Sequence, residues 1–197
     1  MPPYNWKTDP ITVIREFEAR HNNPDAGALI AWAVWTVDCL YYLDDLDQDF
    51  NRSGISAAGH SPDVIDIAHA RWATSSSITS LDLCAAGLGR VFCANTGAHE
   101  LDIGDINATL RAQLPAHAQQ WIDHVRADSQ YNLVKSARDW LMHSRLRRHF
   151  TLSTRDPCLR LRLEFNSIQL PVRDLIELAR ELATKHVCDF IQILHLF

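Results

Sequence analysis

The sequence predicts an all-α protein, a four-helix bundle with a short N-terminal helix and a small β-hairpin or loop insert before the last helix. Three observations predict it. Four long stretches repeat apolar residues at helical spacing, and most begin at a proline start signal. With 47% hydrophobic residues and only seven glycines in 197, the composition is that of a soluble, helix-rich chain. One short stretch alone, late in the chain, alternates with period two. The length suits one domain, residues 1–197, large enough to form a core without staples. No repeat, low-complexity tract or linker divides it.

The elements follow in order. Asp9-Pro10 pairs a cap residue with a proline at the first helical position, and Ile11, Ile14 and Phe17 continue a short helix to His21. Asn23-Pro24 repeats that signal and opens the first long helix, Pro24 to about Leu46. Its apolar residues lie nearly all round, which predicts contacts on more than one side, core or dimer. Asp44, Asp45, Asp47 and Asp49 follow as a polar helix end and loop. As a calcium loop this stretch fails at Phe50 and Ser56, and as a prenyl-diphosphate motif at Gln48.

Ser61-Pro62 starts the second long helix, to about Cys93, with Asn95 and Gly97 ending it. Its middle is crowded with small residues, so its serines are expected to pack closely or bond backbone rather than act as nucleophiles. Gly97 to Leu114 is a connector with one helical turn at Ile106 to Arg111. Pro115 opens the third long helix, to about Phe150. On it His117 and His124 share a face but have no third metal ligand nearby. In Thr151 to Leu170, Leu159, Leu161, Leu163 and Phe165 alternate with charged residues, which predicts a strand, and Asn166-Ser167 is the candidate turn of a short hairpin packed beside the end of the third long helix. Pro171 starts the last helix.

Composition limits the function. The N-terminus lacks the basic start and apolar run of a secretory leader, and no apolar run reaches the roughly eighteen residues of a membrane span. The five cysteines, Cys39, Cys84, Cys93, Cys158 and Cys188, are scattered without a C-x-x-C pair. The expectation is a cytoplasmic protein with reduced thiols, no metal, no cofactor and no membrane partner. Net charge is −5, but Lys135 to Arg162 holds eight Lys or Arg against Asp139 and Asp156, a local +6 that leaves −11 for the remainder. Such an island has two readings: a polyanion site, or a solvated helix end that complements the dipole.

The island contains the stretch that carries chemistry. Arg138, Asp139 and His143 form R-D-x-x-x-H within two helical turns. Asp139 and His143, four apart, share a helix face, so the carboxylate is expected to accept from one ring nitrogen and leave the other for proton transfer. Arg138 is expected to swing to the same side, where its planar fork suits phosphate oxygens. Lys135 and Asn132 extend a polar stripe. Arg145, Arg147, Arg148, Arg160 and Arg162 are candidate contacts to flanking RNA phosphates.

At Arg138-Asp139-x3-His143 the chain resembles the HEPN superfamily of all-α domains, marked by R-x4-6-H. The resemblance spans Pro24 to Leu194. Asp139 stands where Asn is commoner in active members, and Arg145 stands where one toxin subgroup has Tyr. The resemblance implies a homodimer with facing motif helices and, in active members, metal-independent RNA cleavage. It also suggests a bacterial toxin or phage-defence effector with an antitoxin or other protein partner. The alternative is a non-catalytic dimeric module of the same fold that binds a nucleotide, RNA or protein. A third reading is a purely structural bundle with Arg138 and Asp139 in ion pairs.

Overall fold

The computed structural model describes residues 6–53, 62–93, 101–143, 150–152 and 161–197, and for 43–53, 62–66, 150–152 and 161–162 the backbone alone. Helix α1 (Pro10–His21) begins as expected: the Asp9 carboxylate accepts from the Ile11 and Thr12 amides, and Asn22 ends the helix in the left-handed region. The Asn23 side chain accepts from Ala26 N–H at 3.0 Å and so caps α2 (Pro24–Ser53). That helix runs seven residues beyond the expected Leu46, so the acidic run lies on helical backbone, not in a loop. A helix there does not have the backbone of a calcium loop. The outer face of α2 leaves Trp32 58% and Trp35 59% exposed, so the other side of its apolar surface lies bare.

α3 (Pro62–Phe92) is the central helix, packed on α2 and on the last two long helices. Its small residues act as expected. Thr74 Oγ donates to Ala70 O and Ser80 Oγ to Ser77 O, each within the buried helix. A Cβ on Gly87 would stand 2.7 Å from Ile30 Cγ1 on α2, so this crossing requires a glycine. The connector contributes one turn, α4 (Ala108–Arg111), capped by Asn107.

The expected third long helix is broken. It forms α5 (Ala116–Ala127) and α6 (Ser129–His143), separated by Asp128 in extended conformation. Asp128 Oδ1 accepts from Gln130 N–H at 2.8 Å, which starts α6. Its Oδ2 meets Lys185 Nζ at 2.7 Å and His186 Nε2 at 2.9 Å on the final helix, α7 (Val172–Ile193). A continuous helix would instead commit the Asp128 backbone to the helical ladder and offer its carboxylate no such route. Trp121 Nε1 donates to His186 O at 2.9 Å and ties α5 to the same place.

Before α7 lies a three-stranded antiparallel sheet, β1 (Phe150–Leu152), β2 (Leu161–Phe165) and β3 (Ile168–Pro171). The helix expected to reach Phe150 thus gives way to a strand there. The β2–β3 loop is the expected pair Asn166-Ser167, both at positive φ (48° and 65°), between the paired residues Phe165 and Ile168. Two left-handed residues match the right-handed twist of the strands. Leu163 and Phe165 are buried while Glu164 faces out, as the alternation predicts. They join Ala137 and Leu141 of α6 and Leu175 of α7 in a small apolar cluster beside the main core. Among the described residues, no helix is long and apolar enough to cross a membrane.

Two outcomes follow. Gly87→Ala gains helix propensity, yet the contact with Ile30 should make it net destabilising by about 1–3 kcal/mol; an unchanged urea midpoint would contradict the tight crossing. Asp128→Ala should cost about 2–4 kcal/mol, from an unpaired buried donor and a lost cap. The wild type should also weaken in acid. Burial lowers the His186 pKa, so the unfolded chain binds the extra proton and stability falls as pH drops through about 6.5. Burial pushes Asp128 upward, but hydrogen bonds from Lys185, Gln130 and His186 outweigh it and hold it at about 2, which adds loss below about pH 4. Urea unfolding from pH 8 to pH 4 tests both slopes.

Candidate functional site

Helix α6 buries Tyr131, Val134, Ala137 and Leu141, spaced three or four apart, and turns two polar flanks outwards. One flank faces α3 and the connector. There Lys135 reaches alongside Gly104, its Nζ 3.5 Å from where a Cβ would stand. Asp82 of α3 is the half-buried acid on this side, and its Oδ1 accepts from Ile103 N–H at 2.9 Å. Burial, with the neighbouring charge of Asp102, pushes its pKa up to about 6 against the pull of the Ile103 hydrogen bond, Arg138 and Lys135. Burial likewise pushes the Tyr131 hydroxyl up to about 12. Arg126 closes the connector by donating to the carbonyls of Ile103, Gly104 and Ile106.

The other flank faces the hairpin. Ser136, Asp139, Trp140 and His143 of α6 and Asn166 of the β2–β3 turn line an open cavity of about 460 Å³. His143 is exposed at the end of the described helix. The expected constellation forms only in part. Asp139 and His143 do line one cavity, but among the described residues no hydrogen bond joins them. Asp139 instead forms an ion pair with Arg138, Nε at 3.1 Å, and lies 3.9 Å from Lys135 Nζ. The physical reason is competition: a fixed cation on an adjacent residue outbids an exposed imidazole for the carboxylate. Arg138 therefore reaches the cavity through Asp139 rather than by lining it.

Arg145, Arg147, Arg148 and Arg160 lie outside the described residues, and of Arg162 only the backbone, paired with Thr151 and Pro171, is described. His117 and His124 are both exposed. Among the described residues no group of three or more His, Cys, Asp or Glu could hold a metal ion.

Sequence reasoning missed Asp82 and Ser136 as neighbours of the motif. Asp82 had a faint signal, a lone acid inside the small, apolar run SLDLCAAGL. Asn166 is where the sequence expects it, in a hairpin turn beside the motif end of the helix.

No family model matches the chain, and no curated protein or solved structure matches it.

Asp82→Asn tests the electrostatics of this flank. The native carboxyl holds its proton more firmly than the unfolded one, so its contribution to stability falls as pH rises from about 4 to about 6. Asn keeps an acceptor for Ile103 N–H and removes the charge. It should raise the melting temperature by a few degrees at pH 8 and by less at pH 4. A lower melting temperature at pH 8 would mean that attraction to Arg138 and Lys135 outweighs burial.

Proposed function

We propose that the chain is a metal-independent endoribonuclease of HEPN type, acting as a homodimer. The observation that carries this reading is the open cavity in which Asp139 and His143 stand together, with Arg138 held to Asp139 at its edge. An exposed imidazole beside a guanidinium is the minimum that phosphodiester cleavage by transesterification requires.

In this mechanism His143 takes the proton from the ribose 2′-hydroxyl. The 2′-oxygen attacks phosphorus, and the 5′-oxygen leaves and takes a proton from the protonated imidazole of the second copy, which becomes neutral. The products are a 2′,3′-cyclic phosphate and a 5′-hydroxyl. Arg138 neutralises charge on the phosphoryl oxygens, exchanging its Asp139 partner for the substrate. Lys135 and the arginines at 145, 147, 148, 160 and 162 hold flanking phosphates. Pairing of two copies would cover Met142, which is 50% exposed beside His143. A nuclease of this kind serves as a toxin or phage-defence effector, held in check by an antitoxin or other protein partner.

One observation favours the second reading, a non-catalytic module that binds RNA, a nucleotide or a protein. Asp139 is engaged with Arg138, so nothing among the described residues fixes the His143 tautomer.

The two readings separate on a labelled single-stranded RNA pool in EDTA. The nuclease reading expects cleavage to 2′,3′-cyclic phosphate ends, lost by about a hundredfold or more in His143→Ala. Intact RNA with folded wild-type protein would leave the binding module.

A further inference from the structure

A second cavity, of about 420 Å³, continues from the first along α6. Ser136 and Asn166 line both, so the two form one groove between the helix and the hairpin turn. From Asn132 to His143 the groove follows eleven helical steps, about 16 Å at 1.5 Å each. That exceeds one nucleotide step, about 3.4 Å in a stacked strand.

The two halves differ in chemistry. The first holds Asp139 and His143. The second has no charged lining residue among those described. Leu133 and Ile168 give it apolar surface, and Ser129, Asn132, Ser136 and Asn166 give it hydroxyls and amides. Asn132 spends its amide N–H groups on Arg126 O and Asp128 O, which leaves its side-chain oxygen as an acceptor. Asn166 makes no hydrogen bond among the described residues, so its donor and acceptor are both on offer. A phosphate finds no cation here. A flat heterocycle with hydrogen-bonding edges finds both an apolar seat and partners.

We propose that this neutral cavity receives the base of the nucleotide adjoining the phosphate bound at His143, so that α6 and the hairpin turn hold a single strand of RNA across neighbouring positions. The inference rests on the nuclease reading for the position of the phosphate. It adds that the recognised ligand is unpaired, because a base held in a duplex cannot offer its edge to a recess.

The test measures binding apart from cleavage. Fluorescence anisotropy with His143→Ala protein in EDTA compares a labelled single-stranded RNA, its duplex, and the same strand made abasic. The intact strand should bind several-fold more tightly than either control. Asn166→Gly keeps the left-handed backbone of the turn and removes the amide; Ile168→Ala removes part of the apolar seat. Each should weaken the intact strand by about fivefold or more and leave the abasic strand unchanged. Equal binding of intact and abasic strands, or two folded variants that bind like their parent, overturns the subsite alone. Base-dependent binding together with no cleavage by the wild type overturns the nuclease reading and leaves the subsite standing. No binding of any of the three nucleic acids overturns both.

Discussion

The Asp128 carboxylate sets the direction of α6, and with it the place of the candidate site. It is 8% exposed, and it holds three partners at once: the Gln130 amide that starts α6, and Lys185 and His186 on α7. An ionised carboxylate only accepts, so it fixes the proton of the fully buried His186 on Nε2. His186 Nδ1 is left buried without a partner, beside the edge-on ring of His124. A buried lone pair costs free energy, and the favourable contacts of Asp128 offset it. The joint ends α5, redirects the chain and starts α6 from a point anchored on α7. The direction of α6 then decides which residues meet the hairpin, and the cluster of Ala137, Leu141, Leu163 and Phe165 holds the far end.

With that direction fixed, the faces of α6 divide the work. The buried face fills the bundle. One polar flank leans towards Asp82 and Asp102 and is charge-balanced internally. The other looks into the groove under the hairpin turn. Asp139 stands between them, paired with the two cations before it and lining the groove beside His143. A phosphate entering there must compete with Asp139 for Arg138.

Much of this architecture was legible in the sequence because it rests on local rules. Proline and cap signals placed the starts of α1, α2, α3 and α7 within a residue or so, and the period-two run with Asn166-Ser167 placed the hairpin and its turn. The break at Asp128 was not legible. Its one local trace is a phase shift, since the buried Val125 and Val134 stand nine residues or two and a half turns apart, but the partners that make the break favourable, Lys185 and His186, lie almost sixty residues away. The pairing of Asp139 failed for a related reason. Helical spacing put His143 within reach of it, but spacing alone cannot rank an imidazole against a neighbouring guanidinium. Asp82 comes from another element altogether, so no window on α6 could contain it.

The most direct test of this account is a nuclear magnetic resonance titration of the labelled chain with a single-stranded RNA made uncleavable by 2′-O-methylation. The account predicts shift changes along residues 129–143 and at 166–168, with the Asp128–His186 joint unmoved. Changes confined to the exposed face of α2 around Trp32 and Trp35, or none at all, would contradict it.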